Sequence, residues 1–130
     1  MTRSRFDSDV TDAVQHDLVI GIRAGDNDHR FTPVWSVVVG GRVFIRSWAL
    51  SDRSWFSAFR DERVGVVQIA GVEYPVRANL PSDNATLDAV DEAYRLKYHT
   101  PSSAQYVTDI NSARSRATTT ELMPAASDKA

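Results

Sequence analysis

The sequence predicts a mainly β fold of the α+β class, in which six antiparallel strands curl into a barrel and two to three short helices are inserted. Two turns, Gly40-Gly41 and Ala70-Gly71, separate runs of β-branched residues and so predict two hairpins. Apolar residues recur at helical spacing over 84–98. The chain has 130 residues, 42% of them hydrophobic, which is enough for a core. We expect one domain over 1–123 and a flexible tail over 124–130.

The N-terminal part of the chain contributes a helix and a strand. The helix is predicted to be capped by Asp7 or Ser8 and to end near His16. Residues 17–23, "DLVIGIR", then alternate in a way that is typical of a strand with one buried face. A polar loop over 24–29, rich in turn-forming residues, separates this strand from the first hairpin.

The first hairpin places an arginine beside aromatic residues. If Gly40-Gly41 forms a two-residue turn, Trp35 lies opposite Arg46. Trp48 shares their face, because side chains alternate along a strand. The opposite face is almost wholly β-branched and is predicted to line the barrel interior. The aromatic face is then expected to meet a helix, a second subunit or a ligand.

Arg46 allows two interpretations on this face. In the first, it lies across Trp35 as a cation–π pair on a wet surface. In the second, the indoles stack on a flat aromatic ligand, and the guanidinium binds an anionic arm such as a phosphate. The pattern of residues alone leaves both open.

The remaining elements follow from changes in the period of the apolar residues. Trp55 and Phe59 are four residues apart and predict a short helix within 51–63. Pro75 lacks an N–H donor and indicates an edge strand or a bulge in the second hairpin. The acidic residues around Asp91 are predicted to form a solvated helix face. The predicted strands are those of the first hairpin, at about 32–39 and 42–49, those of the second hairpin within 64–80, and a last strand over 116–123. Two further helices are predicted over 84–98 and 102–112.

The composition excludes several classes of function. The net charge is −2, from 15 basic and 17 acidic residues, so no general nucleic-acid partner is expected. The absence of cysteine excludes disulfides, thiolate catalysis and cysteine-bound metal.

No apolar run reaches the roughly 20 residues that span a bilayer, and the N-terminus lacks the apolar segment of a signal peptide. We therefore expect a cytoplasmic protein without a membrane partner. His16, His29 and His99 are far apart in sequence, and no metal site is predicted.

Several short motifs resemble a known group of proteins. "TPVW" at 32–35, followed by a glycine turn and "GRVFIRS" at 41–47, resembles the split β-barrel proteins of the pyridoxamine 5′-phosphate oxidase-like and deazaflavin-dependent reductase kind. "SDRSWFSAFRDERVGVVQIAG" at 51–71 is similar in its aromatic-led helical turn and its valine strand. Residues 31–123 are also similar to an uncharacterised bacterial domain family that we associate with this fold, through "AYRLKY", "YV" and "RATTTELMP".

The resemblance implies a homodimeric split β-barrel that binds FMN or a deazaflavin coenzyme and acts as an oxidoreductase on a small organic acceptor. Arg46 and Ser47 match the strand end that holds the cofactor phosphate in this group. Arg53 lies where a further basic residue would assist. The strand that passes near the ring system is matched by Thr32, Pro33 and Trp35.

The alternative is the same barrel without a cofactor. The loop "AGDNDHR" at 24–30 is short and largely acidic where the group has a long basic loop, and the lysine that many oxidase-type members carry after the second hairpin strand is missing. Such a protein would use the face of Trp35 and Trp48 to bind a small ligand or to dimerise. Neither hypothesis identifies a catalytic residue.

Overall fold

The computed structural model describes residues 5–24, 31–48 and 55–125. Within these ranges the chain forms seven strands and five α-helices. The strands are β1 Ile20–Ala24, β2 Thr32–Val34, β3 Ser36–Val39, β4 Arg42–Ile45, β5 Val64–Ile69, β6 Val72–Asn79 and β7 Thr120–Pro124. The helices are α1 Ser8–His16, α2 Trp55–Glu62, α3 Asn84–Lys97, α4 Ala104–Ile110 and α5 Ala113–Arg116, with a short 3-10 helix at Pro101–Ser103.

The strands form one antiparallel sheet that curls into a nearly closed barrel. Their order is β2-β1-β5-β6-β7-β4-β3, so β2 and β3 lie at opposite ends of the sheet. These two strands are separated in sequence only by Trp35. The segment 32–39 therefore begins on one edge of the sheet and continues on the other. The prediction of six strands is corrected to seven, because this segment was expected to be one strand and instead changes its pairing partner at Trp35.

The helical content is also larger than predicted, with five α-helices among the described residues in place of two to three short ones. One of them, α3, has 14 residues. The predicted helix over 102–112 is divided, since α4 ends at Ile110 and Ser112 caps a separate α5 by accepting a hydrogen bond from Ser115 N. The predicted last strand over 116–123 starts later, because α5 extends to Arg116.

The register of both hairpins agrees with the alternation of the sequence. Val37 pairs with Phe44 around the first turn, where Gly40 and Gly41 have positive φ values of 58° and 78°. Pro75, predicted at an edge or a bulge, lies in β6 between β5 and β7. On the β7 side only its carbonyl oxygen is used, accepting from Ala125 N at 3.0 Å.

Two apolar clusters lie on the two faces of the sheet. The first contains the β-branched face of the first hairpin, as predicted for the barrel interior, together with Phe59 of α2. The second lies on the outer face, where α3 and α4 cover the first hairpin. It contains Val37, Phe44, Val90, Tyr94, Tyr98, Val107 and Ile110, with Trp35 packed against it. The aromatic face of the hairpin is thus covered largely by helices of the same chain. The predicted tail falls mostly on 126–130, outside the described residues.

Candidate functional site

Arg46 lies in the interior, not on a ligand-facing surface. It directly follows β4, and its side chain is 0% exposed. The guanidinium donates to side chains and backbone carbonyls of α3, α4 and the segment before β7. Its acceptors are Thr119 Oγ1 at 2.8 Å, Asp91 Oδ1 at 2.6 Å, Asn111 Oδ1 at 3.0 Å, Ile110 O at 3.3 Å and Leu87 O at 3.0 Å.

The charge of Arg46 is balanced within the same network. Burial lowers the pKa of the Arg46 guanidinium from its ordinary value, and the hydrogen bond and charge of Asp91 oppose this change. The second oxygen of Asp91 accepts from Arg116 Nη1 at 2.6 Å. Arg116 also contacts Asp88 at 3.0 Å. Asp91 is therefore an internal partner of two arginines, not part of a solvated acidic face as predicted. Because all three guanidinium nitrogens of Arg46 donate inside the protein, we assign it a structural role.

The other residues that the resemblance assigns to a cofactor are dispersed. Ser47 is 5% exposed, and its backbone N–H and carbonyl both contact Thr118 Oγ1, at 2.8 and 3.4 Å. Thr32 and Pro33 are exposed on β2. Arg53 lies outside the described residues. Trp35 lies at the break between β2 and β3, and its ring contacts are Trp48, Tyr98 and Tyr106, none of which is an acceptor of Arg46.

The described residues do not fit a cofactor phosphate at the end of β4. A phosphate needs accessible, charge-assisted N–H donors. Arg46 directs its donors into five internal acceptors, and Ser47 is buried beside it. Displacing these contacts would break hydrogen bonds from a charged donor, each worth roughly 1.5–3 kcal/mol. A flavin phosphate at this position is therefore disfavoured by the donor set itself.

A different site is built around Trp35. Its indole forms edge-to-face contacts with Trp48, at a centroid distance of 5.1 Å and an interplanar angle of 72°, and with Tyr106, at 6.3 Å and 72°. Trp48 and Tyr106 are 6.5 Å apart and inclined at 79°. These three rings and Asp109 line an open depression of about 390 Å³. We call this depression the aromatic site.

The rear wall of the aromatic site is held by Tyr98, the residue that directly follows α3. Tyr98 stacks on Trp35 with centroids 3.8 Å apart and planes inclined by 3°. The Tyr98 hydroxyl donates to Leu18 O at 2.6 Å and accepts from Ser36 N at 3.1 Å. Burial raises the pKa of this hydroxyl well above its ordinary value, so it stays protonated and able to donate. One face of Trp35 is thereby occupied, and the ring is fixed in orientation.

The front of the aromatic site is exposed. Trp48 is 40% exposed and Tyr106 57% exposed. Trp48 Nε1 lies 3.4 Å from Tyr106 O, which links the end of the hairpin to α4. The alternation of the hairpin predicted that Trp35 and Trp48 share a face, and the two rings do meet. Tyr106 and Asp109 were missed as site residues, because α4 approaches the hairpin only through the tertiary fold.

A second depression, of about 360 Å³, lies beside Pro33 and is separate from the aromatic site. Its lining residues are Asp17, Val19, Ile20, Gly21, Phe31, Pro33, Gln68, Ala70 and Gly71. A Cβ added to Gly21 would lie 2.9 Å from Phe31 Cβ, so glycine is needed for the close approach of Phe31. The predicted residues Pro33 and Trp35 thus border two different depressions.

Neither a membrane-spanning helix nor a cluster of metal-ligating side chains occurs in the part of the chain that the structure describes. In residues 5–24, 31–48 and 55–125, no helix is long and apolar enough to cross a bilayer. The same ranges contain no group of three or more histidine, cysteine, aspartate or glutamate side chains that could hold a metal ion.

Comparisons with known proteins identify relatives of the sequence and of the fold. The model of a family described as "Uncharacterized protein conserved in bacteria (DUF2255)" matches residues 10–122. No curated protein matches the chain. Among solved structures, the fold is similar to that of the conserved hypothetical protein Rv2991 from Mycobacterium tuberculosis, with a TM-score of 0.61 and 13% sequence identity. That alignment covers 96% of this chain and 82% of the other, and at this identity it shows a shared fold alone.

Proposed function

The chain belongs to the DUF2255 family of uncharacterised bacterial proteins, and we propose that it is a cofactor-free barrel of the split β-barrel kind that binds a small organic ligand at the aromatic site. The observation that carries this proposal is a depression of about 390 Å³ lined by three large aromatic rings, two of which, Trp48 and Tyr106, are exposed. Ligand sites are concave, lined mainly by apolar and aromatic groups, and carry a small number of polar groups. Asp109 is the polar group of this site.

The packing of the rings supports ligand binding over a role in the core alone. A core aromatic is covered on both faces, as Tyr94 is at 0% exposure. Trp48 and Tyr106 are instead exposed although they contact each other. Tryptophan and tyrosine supply large contact areas at a low cost in conformational entropy, which is why they dominate many binding sites. A flavin-dependent oxidoreductase, which the resemblance implies, receives no comparable support from Arg46 or Ser47.

Nuclear magnetic resonance of the indole N–H groups tests the proposal directly. The chain has three tryptophans, of which Trp35 and Trp48 line the site. Trp55 packs against Phe59 at the barrel-interior cluster and provides an internal control. A fragment set of neutral aromatics, organic cations and organic anions, with FMN included, would be titrated against ¹⁵N-labelled protein. We expect at least one class to shift the Trp35 and Trp48 signals and to leave that of Trp55 in place.

Two variants locate the binding. Trp55→Phe removes the control signal and so assigns it. Tyr106→Ala removes one exposed wall and should weaken binding on the order of tenfold, since the contact of an aromatic ring is worth about 1–2 kcal/mol. If no fragment moves the two site indoles, or if Tyr106→Ala binds as well as the wild type, the aromatic site is not a ligand site.

Homodimerisation is a separate proposal, supported by apolar side chains beside the second depression. Val19 lines that depression. Leu18 and Val72 adjoin lining residues in sequence, and all three are exposed. Light scattering after gel filtration should give twice the chain mass of 14.4 kDa. A Val72→Lys variant should then run as a monomer, whereas a wild-type mass of one chain would refute the dimer.

A further inference from the structure

We infer that the ligand of the aromatic site carries an organic cation, of the quaternary or methylated ammonium class. This inference rests on the proposed function and specifies its ligand. The three rings of the site, Trp35, Trp48 and Tyr106, are steeply inclined to one another. Their planes are inclined to one another at 72°, 72° and 79°, so a ligand in the depression meets ring surfaces of three different orientations.

The spacing of the walls suits a compact, rounded group. The distances from Tyr106 to Trp35 and to Trp48 are 6.3 and 6.5 Å. The two indoles are closer, at 5.1 Å. An aromatic ring attracts a cation that lies within about 6 Å of the ring centroid, and a group placed between three rings whose centroids are this close can lie within that range of all of them. A flat ligand can stack on only one of three rings inclined in this way, whereas a tetrahedral ammonium group presents methyl or methylene groups to all three.

The charge of the lining favours the same ligand class. Ring faces carry the negative part of the aromatic quadrupole and attract cations. The remaining lining residue is Asp109, a carboxylic acid, and none of the lining residues that the structure describes is an arginine or a lysine. Among the described lining residues, an anionic ligand would therefore meet repulsion from Asp109 and no compensating cation, while an organic cation would find aromatic rings and a carboxylate.

The rear wall of the site is formed before any ligand arrives. Trp35 is fixed by the stacked ring of Tyr98, whose hydroxyl is hydrogen-bonded to Leu18 and Ser36. Less conformational entropy is then lost on binding, which improves affinity for a small group. The depression, at about 390 Å³, is also larger than a trimethylammonium group alone and leaves space for the substituent that it carries.

A pair of isosteric probes separates charge from shape. Choline and 3,3-dimethyl-1-butanol have the same shape, but only choline is charged. Both would be titrated against the wild-type chain, with the Trp35 and Trp48 indole signals as the readout and acetate as an anionic control. We expect choline to bind at least tenfold more tightly than the neutral alcohol, and acetate to leave both signals unchanged.

The variant Asp109→Asn keeps the shape of the site and removes its carboxylate. It should weaken choline binding about two- to fivefold and leave the neutral alcohol unaffected, since the contribution of an exposed charge is modest. Asp61→Asn, at an exposed carboxylate on α2, is the matched control and should change neither.

The outcomes distinguish the inference from the proposed function. Equal binding of choline and the alcohol overturns the cationic ligand while a small-molecule site is retained. The same holds if neither probe binds but a neutral or anionic fragment shifts the two site indoles. If no fragment of any class shifts them, both proposals are refuted.

Discussion

Replacing Arg46 by methionine should destabilise the protein strongly, because Arg46 is an internal hub of hydrogen bonds. Methionine keeps a long unbranched side chain but removes the charge and every donor. Four groups besides Asp91 would each lose a hydrogen bond at once. These are Leu87 O, Ile110 O, Asn111 Oδ1 and Thr119 Oγ1.

The expected loss can be worked from these contacts. The loss of a hydrogen bond from a charged donor costs roughly 1.5–3 kcal/mol. Breaking a buried ion pair by removing one partner costs about 3–5 kcal/mol. Asp91 retains Arg116 as a partner, which reduces the second cost, and relaxation around methionine reduces the first. We expect the free energy of unfolding to fall by about 3–5 kcal/mol, or the Tm by roughly 10–20 °C for a chain of this size.

Urea denaturation followed by tryptophan fluorescence measures this loss, and an unchanged m-value shows that the folded state is still compact. Arg95→Met is the matched control. Arg95 pairs with Glu92 at 2.6 Å, but both side chains are 55% exposed. An exposed pair of this kind contributes about 0–1 kcal/mol. The difference between the two variants isolates the effect of burial at Arg46.

A second substitution keeps the test decisive if Arg46→Met fails to fold. Arg46→Lys retains a charge for Asp91 but cannot replace a planar fork that donates to five acceptors. It should fold with an intermediate loss of stability. If Arg46→Met is as stable as Arg95→Met, the structural role is refuted. A ligand-binding arginine would give that result, with loss of affinity for an anion and little loss of stability.

Three further predictions concern other parts of the barrel. Burial lowers the pKa of the Lys97 ammonium to about 8, so above that pH the unfolded chain binds more protons than the folded one. The free energy of unfolding should then rise between pH 8 and about 10, and urea titrations of Lys97→Met should show a flatter profile. Gly65→Ala places a Cβ 2.8 Å from the Phe59 ring and should cost about 1–3 kcal/mol; an unchanged Tm would contradict this packing. Ala70 has a φ of 52°, so Ala70→Gly should add about 0.5–1 kcal/mol, and a lower Tm would refute the strained turn.

The parts of the fold that depend on local sequence were predictable. The turn at Gly40-Gly41 and the alternation around it define which side chains of the first hairpin share a face, and the observed register follows them. The apolar stripe of α3 was visible for the same reason, because Val90, Tyr94 and Tyr98 recur at helical spacing and are all buried. These features need only the period of a helix or strand and the φ preference of glycine.

The environment of Arg46 could not be predicted in the same way. Its partners lie between 41 and 73 residues away in sequence, and two of them are backbone carbonyls, which no residue type indicates. An arginine on an apolar strand face indicates internal acceptors as readily as an external anion. The position of Asp91 did indicate an internal partner, because Asp91 lies next to the buried stripe of α3 and not on the opposite, solvated side of the helix.

The break of the strand at Trp35 explains why barrel closure and the aromatic site occur at the same place. A strand that changes partners cannot continue its ladder through the residue at the switch, so Trp35 belongs to neither β2 nor β3. Its side chain is then free to adopt the orientation that stacking on Tyr98 requires. The same tyrosine hydroxyl contacts Ser36, the first residue of β3. Tyr98→Phe should therefore lower the free energy of unfolding and also weaken ligand binding at the aromatic site, although it keeps the ring that stacks on Trp35. A change in only one of the two would show that the junction of the barrel and the wall of the site are independent.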